Sequence, residues 1–359
     1  MREFWFGFNV FRYITFRAAG AALTAFVISL IWGGPIIARL SRLKIKEKIR
    51  NGKHYENLYK LHKGKEGTPT MGGIIIILAL MVSTIFWVRL EVLQARIIVI
   101  STLWLGLIGF VDDLVKLKRL GGRGLPGRIK FAGQVLFGVT VSYYLLNHPE
   151  TAHYAGQIRI PFYKYPLFAD IGFFSILFTV LVIVGTTNAV NITDGLDGLA
   201  IGCLTIAALA YAVLCYLSGH FEFAGYLQIA FIPGAGELAV FCAGLAGAGL
   251  GFLWFNSHPA QVFMGDTGAL ACGGAIGTAA VLINKEFFLL LVGGVFFLEV
   301  VSVIAQVLSF KLTGKRVFAI APMHHHFEIK GMAESKITIR FWIVAILFAL
   351  IGIGALKLQ

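Results

Sequence analysis

The chain reads as a succession of apolar runs separated by short polar intervals. Ten runs approach or exceed the roughly 20 residues that a helix needs to cross a bilayer: 18–38, 72–88, 96–111, 131–147, 171–187, 199–217, 237–255, 267–284, 287–309 and 339–358. The second is short and the eighth is rich in glycine. Gly33, Gly34 and Pro35 predict a kink in the first. Gly244, Gly247, Gly249 and Gly251 make the seventh a close-packing helix, of the kind that also serves a homodimer. Phe4, Trp5, Phe6, Phe8 and Phe11 predict an interfacial segment before the first run. That run continues past any plausible cleavage site, so it is expected to stay in the membrane. Between the fourth and fifth runs, Gln157 to Tyr163 alternates and predicts a short external β-hairpin. The expected fold is an all-α integral membrane protein with ten transmembrane helices, one polytopic domain over 1–359.

Charge orients these helices. Only 14% of the 359 residues are charged, 58% are hydrophobic, and the formal net charge is +13. A soluble domain carries about 25% charged residues. In such a domain this basicity would suggest nucleic acid. Here it reads as orientation and attraction to anionic lipid, with no nucleic-acid partner. The loops after the odd-numbered helices must share one side. Residues 39–65, 112–130 and 310–340 carry ten, six and six Lys/Arg, together 22 of the 31 in the chain. Positive charge stays inside, so these loops are assigned to the cytoplasm and both termini to the outside. The four cysteines, Cys203, Cys215, Cys242 and Cys272, all lie in apolar runs without a CxxC. They read as small buried hydrophobes rather than disulfide or metal ligands.

Five polar clusters abut the spans, and all five fall on the cytoplasmic side. Polar groups at a membrane edge are costly and usually functional. Lys65 to Gly73 enters the second helix, with Thr70 as a plausible cap. Asp112 and Asp113 end the third helix, where the dipole is already negative. They need a cation: Lys116 four residues on, a metal, or a proton taken from a substrate. Asn188, Asn191, Asp194 and Asp197 recur every third residue with no basic residue in their loop. Hard oxygen ligands of this kind suit Mg²⁺. Asn256 to Gly268 contains Phe263, able to stack on a base, and Asp266 just before the eighth helix, as a cap or at a phosphate-binding helix start. His324, His325 and His326 lie in the last cytoplasmic loop. Consecutive side chains diverge, so zinc is disfavoured, and a diphosphate is the better match for three imidazoles. Carboxylates for Mg²⁺ and cations for phosphate are the inventory of phosphoryl transfer. No P-loop and no Gly-x-Ser-x-Gly is present. Glu299 is the one charge in the middle of a span, and the sequence assigns it no role.

At these motifs the chain resembles the phospho-N-acetylmuramoyl-pentapeptide transferases, a branch of the polyprenyl-phosphate N-acetylhexosamine-1-phosphate transferases. The resemblance is carried by Thr68-Pro-Thr-Met-Gly-Gly, Phe110-Val-Asp-Asp, Asn188-Ala-Val-Asn-Ile-Thr-Asp-Gly-Leu-Asp-Gly, Phe263-Met-Gly-Asp and Ala321-Pro-Met-His-His-His-Phe-Glu, in that order. It implies transfer from UDP-N-acetylmuramoyl-pentapeptide to undecaprenyl phosphate, giving lipid I and UMP, with Mg²⁺, in the bacterial inner membrane with both termini periplasmic. The site is expected near 65–73, 112–130, 186–198, 256–268 and 311–338. Asp266 would ligate Mg²⁺, with Asp113 and Asp194. Asp112 and Asp113 would deprotonate or orient the lipid phosphate, and His324 would join the catalytic set. Asn188, Asn191, Asp194 and Asp197 would frame nucleotide and metal, with Gly195, Leu196, Asn256 and Phe263 around the base. Lys65, Lys116 and Lys130 would hold phosphates, His324 and His325 would face the donor with Gln306 nearby, and Thr70 and His326 would also bind substrate. Two other readings compete. Sibling enzymes transferring N-acetylglucosamine-1-phosphate usually differ in the histidine motif. A transporter would place its carboxylates at the midplane, whereas here they cluster at one edge.

Overall fold

The computed structural model describes residues 6–43, 65, 67–118 and 124–357, with side chains described from Asn9 onward. Most of the basic loop 39–65, and Phe4 and Trp5 of the interfacial segment, lie outside the described residues. Ten long helices emerge: α1 (Ile14–Arg42), α2 (Gly73–Trp87), α3 (Leu93–Lys118), α4 (Gly127–Asn147), α5 (Phe174–Thr193), α6 (Leu199–Ser218), α7 (Ala235–Asn256), α8 (Gly265–Leu282), α9 (Gly294–Thr313) and α10 (Glu334–Gly354). Eight of them are long and apolar enough to cross a membrane. The other two are α2, with 15 residues, and the glycine-diluted α8. Short helices at Ala152–Ala155, Phe221–Leu227, Phe288–Val292 and Met323–Ile329 join them.

The helices α7 and α8 form the centre. α7 packs on α1, α6 and α2, and α8 on α3, α5 and α2, with α4, α9 and α10 outside. The glycines of α7 explain the inner contact. A Cβ on Gly247 would overlap the backbone of Ala22, and one on Gly251 would meet Ser29. This close-packing stripe is therefore internal. The glycines seat α1 against α7 within the protomer and offer no surface for a homodimer. At the end of the bundle opposite the polar clusters, Arg17 donates to both oxygens of the buried Glu237 carboxylate at 2.7 Å and to the Trp87 carbonyl at 3.0 Å. Three helices are tied there by groups that sequence periodicity left unremarked.

Several element ends differ from expectation. The third helix runs on to Lys118, past the acidic pair, because Lys116 returns along the helix to Asp112 at 2.8 Å. The fifth runs to Thr193, so Asn188 and Asn191 project from its last turns rather than from a loop. The run 287–309 breaks at Gly293 into Phe288–Val292 and α9. The expected β-hairpin is absent among the described residues and leaves an isolated antiparallel bridge between Ile158 and Phe168. Pro161 and Pro166 withhold two of the N–H groups a ladder would need.

Candidate active site

Two polar clusters gather at one end of the bundle. The first sits where α3 meets the start of α8. That approach depends on glycine: a Cβ on Gly109 would overlap the Asp266 carbonyl, and one on Gly73 would overlap Gly268. Helix backbones can therefore touch there, and the carboxylates of Asp112, Asp113 and Asp266 converge to within 4.8 Å of one another. Lys116 lies 2.8 Å from Asp112, 3.4 Å from Asp113 and 3.0 Å from Asp266. Lys130, from the first turn of α4, also pairs with Asp266. Asn191 donates to Asp266 at 3.0 Å, and Asn188 donates to Gln134 at 2.7 Å. A cavity of about 400 Å³ opens here, lined by Asp112, Lys116, Leu125, Lys130, Phe131, Asn188, Asn191 and Asp266.

The three carboxylates do different work. Asp113 is buried and does not line the cavity. Its Oδ2 accepts the Thr267 N–H at 2.9 Å and the Thr267 hydroxyl at 2.7 Å, and its Oδ1 accepts the Asp266 N–H at 3.3 Å. A carboxylate at the end of one helix thus caps the start of another, where the dipole favours negative charge. Asp266 is not a cap; it projects from the first turn of α8 toward Lys116, Lys130 and Asn191. Asp112 accepts the Leu125 N–H at 2.7 Å on one oxygen and faces Lys116 with the other. Asp194 does not join this trio, and Asp112 stands in its place.

The second cluster joins four distant segments. Lys65 lies 2.7 Å from Asp197 and also pairs with Glu334. Asp197 Oδ2 meets His258 Nδ1 at 3.1 Å and accepts the Ala260 N–H at 3.1 Å. The Lys65 ammonium stands 5.9 Å from the centre of the Phe263 ring. Burial pushes the Asp197 carboxyl upward, but Lys65, the Ala260 N–H and His258 outweigh it and hold it below the ordinary range. Burial opposes the Lys65 charge in turn, and Asp197 and Glu334 raise its pKa above the usual lysine value. The Asp197 contribution to stability is present above the ordinary carboxylate pKa and lost as pH falls through the depressed one. The Lys65 contribution is present below the ordinary lysine pKa and lost as pH rises through the raised one. Sequence reading found Lys65 and Asp197. It assigned no role to Glu334 or His258, although both lie inside the expected site segments 311–338 and 256–268.

The remaining expected site residues are placed as follows. Thr70 is half-buried beside Gly265 and is not a helix cap; α2 starts from Gly72 without a side-chain cap. Asn256 is buried and fully used, accepting the Gly198 N–H at 3.1 Å and donating to the Val262 carbonyl at 2.8 Å. Its geometry is that of a staple between two loops. Asn256→Ala is expected to lower stability by about 1–3 kcal/mol for the polar groups left unpaired, read as a fall in thermal midpoint. Gln306 holds the final loop by donating to the Phe318 carbonyl at 3.0 Å and accepting the N–H groups of Val317 and Phe318. Leu196 is buried. His324 is fully buried, with its Nε2 against Gly195. His325 faces Glu328 at 3.0 Å, and His326 accepts the Ala319 N–H at 3.0 Å. The three histidines do not simply diverge, contrary to expectation: the His324 and His325 rings lie 4.2 Å apart, and only His326 turns away, toward Phe318.

Comparison with known proteins gives the family. The family profile described as glycosyl transferase family 4 matches residues 95–284. Residues 65–77 match the profile described as phospho-N-acetylmuramoyl-pentapeptide-transferase signature 1. Curated relatives named phospho-N-acetylmuramoyl-pentapeptide-transferase are similar over nearly the whole chain. The protein from Methylacidiphilum infernorum is 48% identical, that from Thermodesulfovibrio yellowstonii 49% and that from Endomicrobium trichonymphae 44%. Each match covers 98% of this chain and 96% of the relative.

Proposed function

The chain belongs to the phospho-N-acetylmuramoyl-pentapeptide transferase family, and on that footing we propose that it moves phospho-N-acetylmuramoyl-pentapeptide from its UDP-activated donor to undecaprenyl phosphate, leaving lipid I and releasing UMP. The observation that carries this reading is the convergence of Asp112, Asp113 and Asp266 with Lys116 and Lys130 around one cavity. A phosphate oxygen of the lipid attacks the donor phosphorus that bears the sugar. The P–O bond to UMP breaks, and the electron pair leaves with UMP. Asp112 takes any proton remaining on the lipid phosphate and orients it. Lys116 and Lys130 hold the phosphate oxygens, and Asp113 fixes the start of α8 so that Asp266 points inward. The Lys65–Asp197–Glu334 cluster with Phe263 frames the nucleotide end, where the half-buried ring offers a stacking face.

The donor set suits Mg²⁺. Three carboxylates converge as hard oxygen donors, with the Asn191 amide N–H on Asp266 and the ammonium groups of Lys116 and Lys130 beside them. Asp266 and Asp112 would hold the ion from the cavity side, with Asp113 behind them. Bound there, it would draw charge from the diphosphate oxygens. The test is UMP release by purified protein with and without the polyprenyl phosphate. Release is expected only with lipid and either Mg²⁺ or Mn²⁺, and is expected to stop in excess EDTA. Full turnover in EDTA would sink the metal assignment. Release without lipid would point to a phosphorylated aspartate instead of direct attack.

The proposed setting is a bacterial inner membrane crossed by all ten helices, with both termini outside and both polar clusters facing the cytoplasm. The 22 basic residues of the odd-numbered loops support this orientation. The four native cysteines are buried, so a single added cysteine reports its own side. One at the exposed position 330 is expected to be sealed from impermeant reagents in intact cells, and one at 155 to react. The reverse labelling would overturn the orientation.

A further inference from the structure

Glu299 poses a physical problem that the transfer reaction does not solve. It lies in the second turn of α9, a helix otherwise apolar around it, and it is fully buried. A carboxylate there costs several kcal/mol unless its oxygens are met. They are met by one short segment. Oε2 accepts the Met323 N–H at 2.9 Å, and Oε1 accepts the His324 N–H at 3.2 Å. The ring of His324, also fully buried, brings Nδ1 to within 3.1 Å of Oε2. Glu299 therefore holds the backbone where the histidine segment turns into the helix Met323–Ile329, and its carboxylate stands beside the His324 ring, whose two nitrogens make no hydrogen bond.

The other side of the His324 ring completes the connection. A Cβ on Gly195 would overlap His324 Nε2, so the imidazole rests on the backbone between Asp194 and Leu196. One ring is thus clamped between a membrane helix and the polar stripe Asn188–Asp197. It is closed off from solvent, whereas His325 and His326, which follow it, are partly accessible, the His325 ring lying 4.2 Å from that of His324. An apolar residue at 299 would pack equally well but could not fix the height of the segment above the stripe.

We propose that Glu299 is a positioning residue, and that the Glu299–His324 pair is a strut setting the distance between the histidine segment and the Asn188–Asp197 stripe. His324 acts through this strut and touches no substrate; His325 is the imidazole carried to the donor. This rests on the reading of the stripe as the donor site.

The test is a set of kinetic constants measured on the full-length protein in one detergent, with UDP-N-acetylmuramoyl-pentapeptide and a polyprenyl phosphate. Glu299→Gln keeps the size and one acceptor. It is expected to lower kcat/KM for the nucleotide donor by about tenfold or more, since sub-ångström misplacement is enough for such a loss. The KM for the lipid is expected to stay unchanged. Because both residues act as one strut, Glu299→Gln combined with His324→Asn is expected to be no worse than His324→Asn alone. Gly195→Ala leaves Glu299 intact and pushes the ring away, so the same donor-selective defect is expected even if a Glu299 variant fails to fold. Wild-type donor kinetics in Glu299→Gln, or losses that multiply in the double variant, would overturn the strut. A wild-type protein that releases no UMP would instead remove the functional reading beneath it.

Discussion

Asp112→Asn is expected to slow UMP release by about 10²–10⁴-fold, the usual cost of losing a general base, with only a modest fall in thermal midpoint. The geometry separates the two effects. Asp112 lines the cavity beside Lys116 and Lys130, where a lipid phosphate would sit. Its structural contacts are few. An asparagine carbonyl still accepts the Leu125 N–H, held at 2.7 Å by the carboxylate. The lost partner is Lys116, whose side chain is 38% exposed against 4% for Asp112, so the half-buried pair contributes more than the about 1 kcal/mol of an exposed one but less than the about 3–5 kcal/mol lost on breaking a fully buried one. Lys116 also keeps Asp266 at 3.0 Å. The measurement is single-turnover UMP release and thermal midpoint in the same detergent at saturating Mg²⁺. If the variant keeps more than about a third of the wild-type rate, a barrier change below 1 kcal/mol, Asp112 is not the base. The proton would then have to go to Asp266.

Much of this site was legible before any coordinates. The polar clusters stand out because the surrounding sequence is so apolar that every Asp or Asn at a span edge carries a cost. Membership of a cluster was legible; division of labour within it was not. Asp112 and Asp113 are neighbours in sequence, yet a step of about 100° around a helix sends one into the cavity and the other onto the start of α8. Nothing in the local pattern distinguishes them. Glu299, Glu334, His258 and Gln134 were beyond reach for a related reason. Their partners lie 25, 137, 61 and 54 residues away, and periodicity carries no information about which helix faces which. The same limit explains the glycines of α7. A small-residue stripe predicts close approach, but it does not say whether the approaching helix belongs to the same chain. Helix ends departed from the apolar runs in both directions: α3 and α5 run on past theirs, whereas α2 is shorter and α8 and α10 end earlier. Lys116 and Gln134 give polar partners to the last turns of α3 and α5, and the longer helices carry Asp112, Asn188 and Asn191 into the cluster.

The opposite balance is expected at Asp113. Its carboxylate accepts two backbone N–H groups and the Thr267 hydroxyl, all in a buried setting only 2% exposed. Asp113→Ala leaves the buried donors at the start of α8 without an acceptor. It also removes the charge that complements the helix dipole. Hydrogen bonds to a charged group contribute about 1.5–3 kcal/mol each, and losses within one network do not add fully. A destabilisation of about 3–5 kcal/mol follows, comparable to breaking a buried ion pair. Asp113→Asn restores one acceptor oxygen and is expected to recover part of the stability. Turnover is expected to fall in both variants, because the same N–H groups fix the turn from which Asp266 reaches Lys130 and Asn191. The ordering is the discriminating result. Stability should run wild type, then Asn, then Ala at position 113, while Asp112→Asn loses rate and keeps more stability than Asp113→Ala. Equal thermal midpoints for Asp112→Asn and Asp113→Ala would mean that the cap is not what holds α8 in place. Asp113 would then belong with Asp112 among the groups that meet substrate.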